Sequence, residues 1–202
     1  MDVSDDTYLS IAGTAKGIYR EKASKFIAIA IPASTEKEAL AALETVRREY
    51  HDANHHCYAY RVGITQPAYR FNDDGEPSGS AGRPIYGQIL SAGFTDLIVV
   101  VVRYFGGTKL GVPGLIHAYK TASREALDQA VSVEKTRTER FMVTFDYPLM
   151  NEVMRLLKEE GARILSQNAT TRCSIEFTVR KSRAEMTAKR FSGLKNISLT
   201  II

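Results

Sequence analysis

Six consecutive aliphatic residues, at positions 97–102, constrain the fold of this 202-residue chain more than any other sequence feature. A membrane-spanning helix needs about 20 apolar residues, so this run is too short to cross a bilayer. An uninterrupted apolar strand is typical of a sheet that is covered on both faces. We therefore predict a central strand over residues 96–103.

An α+β pattern surrounds this strand in the first 131 residues. Strands are predicted over residues 17–20, 25–31 and 55–63, and helices over 35–50, 84–92 and 112–130. The first helix has a capping box, Thr35 to Glu38. The third has an apolar stripe at helical spacing, which indicates a core-facing side. A connection of about 20 residues follows residue 63 and is far longer than usual, so we expect it to be functional or mobile.

Residues 132–202 form a second predicted domain with the order strand, helix, strand, strand, helix, strand, as in ferredoxin-like folds. This segment carries 13 Lys and Arg against 8 Asp and Glu, whereas residues 1–131 carry 14 against 15. The alternation of its first and third strands leaves one face of the sheet open. Arg140, Arg172 and Arg180 lie on that face and are candidate nucleic-acid ligands.

Three polar or glycine-rich segments lie at the ends of predicted elements, where binding groups are usually presented. They are residues 52–57, 73–82 and 103–114. Carboxylates in the second segment suit Mg²⁺, acid/base chemistry or a basic partner, and the third suits a phosphate although it lacks the Walker pattern. For the first segment a zinc or transition-metal site is weighed against a strand start with hydrogen-bonded histidines beside a buried thiol. The alternative for the second is an ordered turn with a recognition role, and for the third a close turn that needs positive φ at several positions. The candidate binding residues are His55, His56, Asp73, Asp74, Glu76, Ser78, Ser80, Arg103, Tyr104 and Lys109. No catalytic residue and no metal ligand set is predicted.

At these segments the chain resembles a known family. Asp73-Asp-Gly-Glu-Pro-Ser-Gly-Ser-Ala-Gly82 and Arg103-Tyr-Phe-Gly-Gly-Thr-Lys-Leu-Gly111 resemble the signature of the YigZ/IMPACT family, and the match spans about residues 14–130. Ser80 stands where threonine is expected. The resemblance implies a first domain like the second domain of ribosomal small-subunit protein five. It also implies a ferredoxin-like second domain similar to the last domain of elongation factor G. In this family, IMPACT is a translational regulator that works by binding.

Our leading hypothesis is a non-catalytic regulator or stress factor that binds RNA, the ribosome or a translation-factor partner. One alternative is an enzyme that uses the acidic turn and the Gly-Gly-Thr-Lys loop to hold a metal or a nucleotide. Another is a protein-binding module of the IMPACT type. We expect no cofactor and no membrane contact. The acidic start, with Asp2, Asp5 and Asp6, lacks an apolar signal core and predicts a cytoplasmic protein. Two cysteines, Cys57 and Cys173, are expected to be packed thiols.

Overall fold

The computed structural model describes residues 6–202, so Asp2 and Asp5 lie outside the described residues. The chain forms two compact units. The first unit is Tyr8–Lys135, and the second is Thr136–Ile202 together with Asp6 and Thr7. The predicted α+β fold with two domains is confirmed. The observed division falls after Lys135 and not after residue 131, because an additional strand follows residue 131.

A five-stranded antiparallel sheet organises the first unit. In chain order the elements are β1 (Thr7–Ile11), β2 (Ala15–Glu21), β3 (Ser24–Pro32), α1 (Glu36–Glu49), β4 (His55–Val62), β5 (Ala68–Asn72), α2 (Gly82–Ser91), β6 (Leu97–Tyr104), α3 (Gly111–Asp128) and β7 (Ser132–Thr136). The strand order of the large sheet is β2-β3-β6-β4-β5, and β1 pairs with β7 separately. The aliphatic run therefore lies in the middle strand, as predicted.

Two hydrophobic cores lie on opposite sides of this sheet because successive side chains of a strand point to opposite faces. Val99 and Val101 of β6 pack with Cys57 and Ala59 of β4 in the core that contains α2 and α3. Another core packs against α1, and its buried members from β4 and β6 are Tyr58, Tyr60, Val62, Ile98, Val100 and Val102. The two-sided burial of β6 is thus confirmed.

Helix α1 begins where the capping box predicts. The Thr35 hydroxyl accepts a hydrogen bond from the Glu38 N–H at 3.2 Å. The Glu38 carboxylate accepts from the Ser34 N–H at 2.7 Å, one residue earlier than in the usual capping box. The helix then buries Ala39, Leu43 and Val46 against the sheet.

Three strands of the first unit were not predicted. β5 lies inside the long connection after β4, and β1 and β7 form the small sheet. β5 is an edge strand whose Tyr69, Arg70 and Phe71 are all exposed, so its sequence shows no alternation of apolar and polar residues. Its pairing with β4 shows that part of the long connection, which we expected to be functional or mobile, is an ordered strand.

The second unit has the predicted ferredoxin-like order. Its elements are β8 (Thr138–Asp146), a 3₁₀ turn (Tyr147–Leu149), α4 (Met150–Glu159), β9 (Arg163–Asn168), β10 (Arg172–Arg180), α5 (Lys181–Ser192) and β11 (Ile197–Ile201). The strand order is β11-β8-β10-β9. Alternate residues of β8 and β10, including Phe141, Val143, Ile175 and Phe177, form the core with the two helices.

Because of Tyr60, the stability of the fold is expected to fall as the pH rises in the alkaline range. Its hydroxyl donates to the Glu36 carboxylate at 2.5 Å, and burial raises the pKa of Tyr60 from 10.0 to about 12. Above pH 10 the unfolded chain loses this proton while the folded chain keeps it, so folding weakens until the pH reaches about 12. We expect urea denaturation to show that Tyr60→Phe loses less free energy of unfolding between pH 10 and about 12 than the unchanged protein does. Parallel curves for the two proteins would contradict this assignment.

Candidate functional site

The three sequence segments meet at one cavity of about 460 Å³ in the first unit. Its lining combines two cations, a carboxylate and an imidazole with apolar side chains. The lining residues are Asn54, His55, Glu76, Pro77, Arg103, Phe105, Lys109, Leu110, Gly111, Val112 and Leu115. Four of the predicted binding residues, His55, Glu76, Arg103 and Lys109, therefore lie together.

Sheet register accounts for part of this convergence. His55 at the start of β4 is paired with Arg103 near the end of β6, so the two strands present these side chains at the same edge. Asn54 fastens the loop that follows β6, because its side-chain oxygen accepts from the Phe105 N–H at 2.8 Å. Residues 109–112 then enter α3 along the cavity wall.

A buried ion pair lies at the base of the cavity. The Arg103 guanidinium donates to Glu76 Oε1 at 2.5 Å, and the side chains are 6% and 4% exposed. The Tyr119 hydroxyl of α3 donates to the same oxygen at 2.7 Å. Arg103 also lies 5.4 Å from the ring centroids of Phe26 and of Phe105, a favourable cation–π arrangement.

His55 is held in one orientation near this pair. Its Nδ1 lies 2.8 Å from the Asp74 carbonyl oxygen, which can only accept, so Nδ1 carries the hydrogen. In the neutral ring Nε2 then keeps its lone pair. Nε2 is 3.9 Å from Glu76 Oε1, which is beyond hydrogen-bonding distance.

The other two carboxylates of the acidic turn serve the backbone of the protein itself. Asp73 accepts from the N–H groups of Gly79, Ala81 and Gly82 at 2.8–3.0 Å and so caps the start of α2. Asp74 accepts from the His56 N–H at 2.7 Å and lies 3.4 Å from the Arg47 guanidinium. These bonds leave Asp73 and Asp74 poorly suited to act as an acidic surface for a basic partner.

Several predicted residues are outside the cavity lining. His56 points to the α1 side of the sheet, where its Nε2 lies 2.9 Å from the Tyr50 carbonyl oxygen. The buried Ser80 hydroxyl donates to the Pro77 carbonyl oxygen at 2.6 Å, and Ser78 is exposed. Tyr104 follows Arg103 and so faces the other side of β6, where its hydroxyl donates to Asp52 at 2.8 Å.

Tyr119 is a site residue that the sequence pattern did not identify. It belongs to the apolar stripe of α3, and the prediction assigned that stripe to the core. Burial raises the pKa of Tyr119, so its phenol stays a hydrogen-bond donor to Glu76. Burial also raises the pKa of the Cys57 thiol, which lies 3.3 Å from the Tyr119 oxygen. The hydroxyl group could have identified Tyr119 as a site residue, because a buried tyrosine usually needs a polar partner.

The three candidate arginines of the second unit do not form one cluster. Arg172 and Arg180 are at opposite ends of β10. Arg140 forms an ion pair with Glu176 on the same open face, and Ser166 donates to that carboxylate at 3.1 Å. The charge of Arg140, one of the three candidate arginines, is therefore neutralised on this face.

No group of three or more His, Cys, Asp or Glu side chains in residues 6–202 is arranged to hold a metal ion. Within the same range, no helix is both long enough and apolar enough to span a membrane.

The fold and the site together define a two-unit α+β protein with a loop-built cavity in its first unit, and the chain belongs to the IMPACT family. The model of the Impact N-terminal domain matches residues 22–127, which contain the whole cavity lining. The IMPACT family member YigZ of Escherichia coli is 32% identical over 165 residues, 81% of each chain.

Two further similarities agree with this assignment. An IMPACT family member of Thermus thermophilus is 51% identical over 107 residues, covering 53% of this chain and 56% of that relative. A crystal structure of a protein described as hypothetical has a TM-score of 0.74 and 27% identity over 98% of each chain. The similarity in structure thus extends over both units.

Proposed function

We propose that this protein is a translation-associated regulator that binds the ribosome or a translation factor and does not act as a catalyst. The observation that carries the proposal is the engagement of the acidic turn. Glu76 is bound by Arg103 and Tyr119, while Asp73 and Asp74 accept backbone N–H groups. Carboxylates held in this way maintain the shape of a binding cavity and are poorly placed to exchange protons with a substrate.

The family relationship supports the link to translation, because the resemblance described above implies a regulator of this kind. The open face of the second unit favours a ribosomal or protein partner over sequence-specific single-stranded RNA. The aromatic residues of β8 and β10 lie in the core, and Arg140 is paired with Glu176. RNA-reading sheets usually stack bases on exposed aromatic rings.

Sedimentation with purified ribosomes and with purified translation factors tests this proposal. We expect the full chain to be retained, and we expect Lys109→Glu to lose most of the retention because Lys109 is exposed at the cavity. Lys120→Glu is the matched control, since Lys120 is exposed on α3 but is outside the cavity lining. Absence of retention on every component, at low as well as high salt, would refute the proposal.

The size of the cavity favours one second candidate, a nucleotide-dependent enzyme. Its volume lies within the range of about 300–1,000 Å³ that is typical of small-molecule sites. A thermal-shift series of nucleotides with and without Mg²⁺ separates the two candidates. Stabilisation by a nucleotide together with turnover would favour the enzyme.

A further inference from the structure

We propose that the cavity binds an oxyanion, a phosphate or a carboxylate, at the start of α3, and that this group belongs to a ligand with an apolar body. This inference rests on the proposed function and identifies the chemistry by which that site would recognise its ligand. It depends on three features of the cavity wall: the first turn of α3, the unused donors of Arg103, and the charge of Lys109.

The first turn of α3 offers backbone donors to the cavity. The N–H groups at the start of a helix have no partner within the helix, and the helix dipole makes this end positive. α3 is 18 residues long, has no acidic residue in its first turn, and receives no side-chain cap at Leu110. In residues 6–202, no side chain caps this end of the helix, and Gly111 and Val112 both line the cavity.

The backbone conformation at this point is suited to an anion. Leu110 has right-handed angles, with φ −85° and ψ −20°, whereas Gly111 has φ +72°. A right-handed residue followed by a left-handed one turns successive N–H groups toward a common concave side, and such concavities bind anions. Gly111 suits this position because other L-residues rarely adopt a positive φ.

Arg103 is an independent observation that points to the same ligand. Its side chain is 6% exposed and lines the cavity, yet within residues 6–202 only Nη1 has an acceptor, the Glu76 carboxylate. The Nε atom is buried and has no hydrogen-bond partner in the described part of the chain. A buried guanidinium with unused donors is a common partner of carboxylate and phosphate groups. With the exposed Lys109, the charged lining side chains give a net charge of +1 despite Glu76.

The start of α2 differs from the start of α3 in that a carboxylate of the protein already occupies it. The start of α2 holds a carboxylate from the protein, because Asp73 accepts from Ala81 and Gly82. The start of α3 has no corresponding side chain among the described residues. Beside it, Phe105, Leu110, Val112 and Leu115 provide apolar surface for the remainder of a ligand.

Titration of the full chain followed by amide NMR tests the inference directly. The probes are inorganic phosphate, phenyl phosphate, 3-phenylpropanoate and, as the neutral control, 3-phenylpropanamide, all at constant ionic strength. We expect saturable shifts of the backbone N–H signals of Gly111 and Val112 with phenyl phosphate or 3-phenylpropanoate. The neutral 3-phenylpropanamide should cause no such shift. Whichever anion binds more tightly identifies the phosphate or the carboxylate as the preferred group.

Variants make the outcome specific to this site. Lys109→Ala should weaken the binding of the preferred anion about tenfold, since a charge-assisted contact is removed, and Lys120→Ala should leave it unchanged. Val112→Asp, which places a carboxylate in the first turn, should abolish binding, whereas Val112→Asn should not.

Three outcomes would overturn the inference: equal shifts with the neutral amide, no shift with any anion, or unaltered affinity in Lys109→Ala. None of them bears on the proposed function, because the titration contains no ribosome or translation factor. Conversely, failure of ribosome retention would leave a positive titration intact.

Discussion

Replacing Gly106 with alanine is expected to destabilise the first unit by about 3 kcal/mol, because the new methyl group has no space. An ideal Cβ at this position would overlap the backbone of Ala23 and Ser24, where the turn after β2 enters β3. The Gly106 N–H also donates to the Ser24 hydroxyl at 3.1 Å. Backbone cannot move aside as a flexible side chain can, so the loop after β6 must shift and disturb the cavity.

Gly107→Ala is the matched control for this substitution. Gly107 has φ +84° but no heavy atom within 4 Å of an ideal Cβ, so only the strain of the left-handed conformation remains. We expect a loss of about 1 kcal/mol. Urea denaturation of both variants gives the comparison. Equal losses would show that the close approach of Gly106 to the β2–β3 turn does not limit the fold.

Glu76→Gln is expected to cost about 3 kcal/mol, because it leaves the buried Arg103 without its counter-charge. Glutamine has nearly the same size, and its side-chain oxygen can still accept from Tyr119. The lost stability therefore comes from the charge and not from a cavity or a missing hydrogen bond to the phenol.

An exposed pair in the same unit provides the control for this second substitution. Glu44 lies 2.9 Å from Arg47 on α1, and the side chains are 61% and 37% exposed. Water screens such a pair, so Glu44→Gln should change the free energy of unfolding by less than about 1 kcal/mol. Similar values for Glu44→Gln and Glu76→Gln would contradict the assignment of Glu76 as the partner that compensates the Arg103 charge.

The sequence was sufficient for the elements that are dominated by burial. The aliphatic run of β6 requires a strand that is buried on both faces, and the apolar stripe of α3 requires a helix that is buried on one face. Both elements were predicted correctly. β5 was missed because edge strands have exposed side chains that need not alternate. β5 is stabilised by its pairing with β4, and this pairing cannot be recognised from the five residues of β5 alone.

The sequence indicated only some of the residues that line the cavity. His55, Glu76, Arg103 and Lys109 could be selected because they lie at the ends of strands or in loops, where binding groups concentrate. Their roles depend on distances that spacing does not encode. Glu76 and Tyr119 are 43 positions apart, and nothing local distinguishes the inward carboxylate of Asp73 from one that holds an external ligand.

Each unit contains one fully buried free cysteine, Cys57 in the first and Cys173 in the second. A thiol-alkylating reagent can reach either sulfur only after the surrounding core opens. Peptide-resolved mass spectrometry of a labelling time course therefore reports the opening of each unit separately, and it gives the opening rate when alkylation is faster than reclosing. The two native thiols are thus intrinsic probes of unfolding, and no dye or engineered residue is required to use them.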